Sequence, residues 1–191
     1  MKTPVLHFAI NPGLIDNIVA EDKRLYCDGF MNTEGSPEEL AEAVGSVGWA
    51  VCAQLSGPRC TKNFLQSNLG FVDIDEAESV EAVLKHPFVE QYAWVAHTRV
   101  SHAPDRPRLR VGFCLPRVIT DAKEMAAVLR SLALRVGGDL AATDATRICF
   151  GNRAAECFLL EGGIPEPLLD ELIAQSLDSP NSADGSDGPR G

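Results

Sequence analysis

Between positions 71 and 75 the chain reads Phe71-Val72-Asp73-Ile74-Asp75, and this alternation constrains the fold more than any other stretch. Residues two apart in a β-strand project from the same face. Asp73 and Asp75 therefore stand side by side next to Phe71, with Val72 and Ile74 packed behind. Two ionised carboxylates so close repel, and one pKa rises unless a cation lies between them. A hard divalent ion such as Mg²⁺ or Mn²⁺ resolves that conflict through oxygen ligands. On this reading Asp73→Ala removes a metal ligand and relieves repulsion, so activity goes while the fold stays. The plain alternative is a strand end whose acids run into solvent and open the next helix.

The 191 residues are enough for one domain, or a compact pair of subdomains, with a real core. No apolar run approaches the roughly 18 residues that span a bilayer. Met1-Lys2-Thr3-Pro4 lacks the apolar stretch of a signal peptide, so a cytoplasmic protein with no membrane partner is expected. The six cysteines form no C-x-x-C pair. Cys52, Cys114 and Cys149 lie in apolar runs and read as buried thiols rather than zinc ligands. A net charge of −10 argues against a nucleic-acid partner, but its distribution does not: Trp94 to Arg153 holds ten Lys/Arg and five Asp/Glu. A basic surface on an acidic protein is compatible with a polyphosphate or a nucleic-acid strand.

Turn chemistry and periodicity place the elements. Asn11-Pro12-Gly13 reads as a turn and Leu14 to Ala20 as a short helix. Ser36-Pro37-Glu38-Glu39 starts a helix with a capping box and proline at its first position. Trp49 to Leu55 reads as a buried strand, and Glu76 to Lys85 as a short helix ended by His86-Pro87. Tyr92 to Ala96 is a strand, His97 to Arg106 a polar link, and Leu109 to Leu115 another strand. A long helix capped by Thr120 carries the apolar stripe Met125, Val128, Leu129, Leu132 and Leu134 and stops at Gly137-Gly138. Ile148 to Phe150 and Phe158 to Leu160 are short strands, and Pro165 to Leu177 is a final helix. Residues 178–191 read as a disordered tail or linker. The order predicts an α+β domain with an antiparallel or mixed sheet.

Arg106-Pro107-Arg108-Leu109-Arg110, if extended, puts three arginines on one face. Guanidiniums in a row repel unless an anion joins them, and their geometry suits phosphate oxygens. The ordinary alternative is a charged, exposed strand edge. Asp139 follows the glycine pair in a loop able to reach a neighbouring strand, or else caps the turn that follows. An acid pair, an arginine row, a third acid and Arg147 together have the composition of a phosphoryl-transfer site with two divalent ions.

In this order, these motifs resemble the archaeo-eukaryotic primase superfamily, in particular the primase-polymerases of plasmids, phages and other mobile elements. The acid pair matches that family's first motif. Arg106 to Phe113 matches its second, with Arg110 at the place usually held by histidine, and Asp139 matches its third. Arg147, eight residues later, stands where relatives contact nucleotide. Gly57-Pro58-Arg59, Asn63 and Ser101-His102-Ala103-Pro104 also resemble the mobile-element branch. The similarity covers roughly Glu38 to Leu177.

The resemblance implies a two-part catalytic domain over residues 1–177. An N-terminal α/β part would run to about residue 70 and an RNA-recognition-like part from about residue 71, leaving 178–191 outside. It implies template-directed nucleotide addition, as DNA primase, DNA polymerase or both, with two Mg²⁺ or Mn²⁺ ions held by Asp73, Asp75 and Asp139. Arg106, Arg108, Arg110 and Arg147 would then bind the nucleoside triphosphate, and Arg59 and Asn63 would face nucleotide or template. Either Arg110 or His102 takes the histidine's part. The implied partners are single-stranded or primed DNA and a helicase or other replication or repair domain. A metal-dependent nuclease using the same acids and a non-catalytic, DNA-binding replication-initiation module are the alternatives.

Overall fold

In the computed structural model, which describes residues 4–16 and 22–177, the strands form two antiparallel sheets. The first has β1 (Leu6–Ile15) between β2 (Met31–Gly35) and β3 (Trp49–Cys52). The second takes β4 (Gln54–Leu55), β5 (Phe64–Ile74), β6 (Val95–Thr98), β7 (Leu109–Ile119) and β8 (Cys157–Leu159). Its spatial order is β4-β5-β7-β6-β8. With five helices longer than a single 3₁₀ turn among the described residues, the protein is α+β.

The period-2 pattern of β5 decides how the layers stack. Val72 and Ile74 point into the main core with Leu109, Val111 and Phe113 of β7. That core is closed by α4 (Ala122–Val136) and α5 (Glu166–Leu177), through Met125, Val128, Leu132, Leu169 and Leu172. Leu69 and Phe71 point the other way, against Leu6 and Phe8 of β1 and Val51 of β3. Leu40 of α1 (Pro37–Ala41) and Val44 of the π-helical turn after it complete this second cluster. From Leu69 to Val72, β5 is thus apolar on both faces before it reaches Asp73.

The helix starts follow their side-chain chemistry. Ser36 Oγ accepts from Glu39 N at 3.3 Å and Glu39 Oε2 accepts from Ser36 N at 2.7 Å, the reciprocal capping box expected there. α4 begins one residue later than expected, because the carboxylate of Asp121, not Thr120, accepts from Lys123 N and Glu124 N. His86-Pro87 ends α2 (Val80–Leu84) but also opens α3 (Pro87–Tyr92). Proline has no N–H to miss at a first helical position, and His86 Nδ1 caps Phe88 N.

Further expectations are corrected. Asn11-Pro12-Gly13 is an irregularity within β1, not a turn. The Asn11 amide makes up for the broken ladder by donating to the carbonyls of Leu25 and Asp28 while its oxygen accepts from Gly13 N. Leu14 and Ile15 consequently belong to a strand, and residues 17–20 of the expected helix lie outside the described residues. Trp49 to Leu55 divides at Ala53 and passes from one sheet to the other. Ile148 to Phe150 makes only an isolated bridge, Cys149 to Val51. β5 runs unbroken through residues 70 and 71. The tail from 178 lies outside the described residues.

Candidate active site

The register of three neighbouring strands builds the site. Asp73 of β5 is the cross-strand partner of Arg110 of β7, and Arg110 is in turn the partner of His97 of β6. One step further, Arg99 N donates to Arg108 O at 3.0 Å, and Arg108 Nε lies 3.8 Å from Asp75 Oδ1. Side chains two apart on each strand share a face. Two parallel rows therefore cross the sheet on the Phe71 side: Asp73–Arg110–His97 and Asp75–Arg108–Arg99.

The first row is buried. Asp73 is 5% exposed and Arg110 3%, joined at 2.5 Å from Nε to Oδ1. Arg110 Nη1 donates to Phe150 O at 2.9 Å, which explains why the backbone after Ile148 must return to this point. Burial pushes the Asp73 carboxyl up, but Arg110, Arg99 and Arg147 outweigh it and hold the pKa below the usual carboxylate value. His97 is fully buried, and burial with the charge of Arg110 lowers its pKa to about 4. Its Nδ1 lies 3.2 Å from Thr98 O, an acceptor, so Nδ1 carries the proton. The Nε2 lone pair is left buried without a partner.

The second row reaches solvent. Asp75 is 33% exposed, Arg99 21% and Arg108 18%. Arg99 Nη1 donates to Asp75 Oδ1 and lies 3.7 Å from Asp73 Oδ2. The loop between β6 and β7 is pinned from inside: His102 Nδ1 accepts from Arg108 N at 3.2 Å, and Arg108 Nη1 donates to Ser101 Oγ at 3.1 Å. Beside it opens a cleft of about 380 Å³, lined by Asp75, Glu76, Ala77, Asp105, Arg106, Pro107 and Arg108.

Asp139 is brought in by its backbone. Gly137 ends α4 in the left-handed region at φ 68°, and Asp139 N then donates to Asp73 O at 2.9 Å. Gly138 permits this approach, since a Cβ there would collide with Val72 Cγ1 and lie 3.0 Å from Asp73 O. The Asp139 carboxylate caps its own 3₁₀ turn by accepting from Ala141 N.

The expected residues therefore divide. Asp73, Asp75, Arg108 and Arg110 converge, and Arg147 reaches Asp73 through its charge. Arg106 does not join the row: it lies before β7, in a turn closed with Ala103, and faces the cleft instead. Arg110 turns to Asp73 and Phe150 rather than to the cleft. Arg59 donates to Tyr26 O and Thr146 O, and the Asn63 amide donates to Pro58 O, so both brace loops. Because Asp73 neutralises a buried arginine, its removal uncovers a charge rather than relieving repulsion, which reverses the expectation for Asp73→Ala. Arg99 enters the site from the segment expected to be a polar link, and His97 of the same segment lies fully buried beside Arg110. The parity that puts Arg108 and Arg110 on one face puts His97 and Arg99 on one face too, once β6 extends through Thr98.

Three solved structures match 92% of this chain. The AEP domain of the primase-polymerase of cyanophage S-2L aligns with a TM-score of 0.49 and 14% identity over 89% of its own length. The primase RepB' aligns with a TM-score of 0.47 and 14% identity over 58% of its length. The catalytic domain of primase RepB' in complex with initiator DNA aligns with a TM-score of 0.48 and 16% identity over 87%. The likeness is one of fold. No protein-family model matches the sequence, and no curated protein matches it.

The donor chemistry of the site suits a hard divalent ion at one place, where Asp73 Oδ2 and Asp75 Oδ1 both face Arg99 Nη1. A guanidinium, itself a cation, fills that place here. Among the described residues no three His, Cys, Asp or Glu side chains are grouped as metal ligands.

Proposed function

We propose that this chain is a template-directed nucleotidyltransferase that adds nucleotides from triphosphates on a single-stranded or primed DNA template, as primase, polymerase or both. The observation that carries this reading is the pair of charge rows. Three guanidiniums face two carboxylates, a surplus of one positive charge in the two rows, and Arg106 and Arg108 line the open cleft beside them together with Asp75, Glu76 and Asp105. Such a place accepts an anion rich in oxygens, and arginine is suited to phosphate.

Within the reading, Arg110 fixes Asp73, and Arg106, Arg108 and Arg147 meet the triphosphate. Mg²⁺ or Mn²⁺ would be held by Asp73 and Asp75, with Asp139 as third carboxylate of a two-ion site, and would supply charge to the attacking oxygen and the leaving pyrophosphate. The His102 ring sets the Arg108 backbone, which orients the phosphate contact from behind. A helicase or other replication or repair domain is the partner such an activity calls for.

The test is incubation with Mn²⁺ or Mg²⁺, single-stranded DNA and labelled nucleotides, with products resolved by length. Oligomers from the native protein that fall to background in Asp75→Asn support the reading. Absence of any product with either metal and either class of nucleotide would sink it. Arg108→Ala should weaken triphosphate binding by about 1.5–3 kcal/mol, roughly ten- to over a hundredfold, and weaken DNA binding much less. One observation favours a second reading, a non-catalytic DNA-binding module: both acids are already neutralised by arginines. DNA retention without synthesis or cleavage would select it, and shortened DNA would select the nuclease.

A further inference from the structure

The two arginines that touch the acid pair are held very differently. Arg110 is 3% exposed, and its guanidinium is fixed by Asp73 Oδ1 and by the Phe150 carbonyl. Arg99 is 21% exposed, and among the described residues its guanidinium pairs with two carboxylates, at Asp75 Oδ1 and Asp73 Oδ2. Its backbone is anchored separately, by Arg99 N to Arg108 O and by His102 N to Arg99 O. The Arg99 side chain can therefore leave the acids without any movement of the strands, whereas Arg110 cannot. The oxygens that Arg99 now satisfies are those left over once Arg110 has taken Asp73 Oδ1.

We infer that Arg99 is an exchangeable counter-ion, which holds the place of a divalent cation between Asp73 and Asp75 and is released when that cation binds. This rests on the nucleotidyltransferase reading of the same site. A cation entering between the two carboxylates takes over the charge that Arg99 supplied, and two like charges need only one such partner. Once freed, Arg99 stands with Arg108 at the mouth of the site, unpaired and positive, where a triphosphate gives it a new anion. Cation and triphosphate binding are thereby coupled: each favours the state with Arg99 off the acids, so each tightens the other by the same factor.

The experiment is a titration with Mn²⁺, read from the electron-spin signal of the free ion, with and without a non-hydrolysable nucleoside triphosphate. The proteins are the native chain, Arg99→Ala, Arg99→Gln as the variant that keeps side-chain bulk over the acids, and Arg135→Ala as a control for net charge. Arg135 pairs with Glu171 on the helical side, away from the acids. With the metal alone, Arg99→Ala and Arg99→Gln should bind Mn²⁺ at least about threefold more tightly than the native chain, the scale of a partly exposed ion pair. Arg135→Ala should not. The triphosphate should then tighten Mn²⁺ binding less in both Arg99 variants than in the native chain. In chelator the Arg99 variants should melt lower than the native protein, and Mn²⁺ should close that gap.

Equal or weaker Mn²⁺ binding by the variants overturns the exchange while leaving nucleotide addition intact. Tighter binding with undiminished coupling overturns the transfer of Arg99 to phosphate. No Mn²⁺ binding by any of the four overturns both the exchange and the metal-dependent reading on which it rests.

Discussion

Asp73 and Arg110 are each other's solvent. With both almost fully buried and 2.5 Å apart, removing either leaves an uncompensated charge under the sheet. Arg110→Met should therefore destabilise the protein by about 3–5 kcal/mol, and Asp73→Ala by a similar amount. The double variant Asp73→Ala/Arg110→Met should lose clearly less than the sum, as denaturant midpoints would show. Additive losses would mean that the two side chains are not coupled.

His97 predicts a pH response of definite sign. Its pKa is lowered to about 4 from an ordinary value of 6.5, so on acidification the unfolded chain takes up this proton first. Stability is then fully present above about pH 6.5 and lost as pH falls toward 4, by about 3 kcal/mol across the window. Asp73, held below its usual value, adds loss of the same sign only at lower pH. His97→Gln should flatten the slope between pH 6.5 and 4 in denaturation curves taken with chelator. An unchanged slope would place the titrating group elsewhere.

At the scale of elements, the close pass of the α4 C-terminus over β5 is set by Gly138. A methyl group there meets Val72 and the Asp73 carbonyl, so Gly138→Ala should cost about 1–3 kcal/mol. It should also break the Asp139 N to Asp73 O bond and reduce nucleotide addition in the folded fraction. Full activity with normal stability would show that the loop is free to shift.

Elements were readable in the sequence where one periodicity ruled. The 71–75 alternation, the Ser36 capping box and the α4 stripe, apart from the exposed Leu134, appear as expected because each rests on local geometry. Legibility ended where a side chain from elsewhere rescued a poor local signal. The Asn11 amide lets a turn-like tripeptide run on as strand, and a register irregularity in the β5–β7 ladder, between Leu69/Cys114 and Ser67/Ile119, lets β7 continue through Pro116. At the site, the acids and two of the arginines could be picked out, but not that a short β6 continues through His97 and Thr98 and so delivers Arg99. Nothing local marks that extension; it is paired on both sides by strands more than ten residues away.

For the whole molecule, much of the basic stretch from Trp94 to Arg153 is already spent. Arg99, Arg108 and Arg110 face the acid pair, Arg117 and Arg135 tie α5 through Glu166, Asp170 and Glu171, and Arg153 pairs with Asp16. Arg106, Lys123, Arg130 and Arg147 remain outside the ion pairs of the described residues. With so few contacts to phosphate, single-stranded DNA binding should be weak. The logarithm of its affinity should fall against that of salt with a slope of roughly −2 to −3. Submicromolar affinity that survives high salt would point instead to base stacking.

The row Asp73–Arg110–His97 also has an order of assembly in time. During synthesis the acids leave the ribosome first, His97 next, and Arg110 only afterwards. Phe150, whose carbonyl fixes the arginine, emerges forty residues later still. Until Arg99 follows, the nascent chain carries two neighbouring carboxylates without any of the guanidiniums that face them in the finished site. Closure of β5 must wait for the pairing with β7, a contact between strands separated by more than thirty residues.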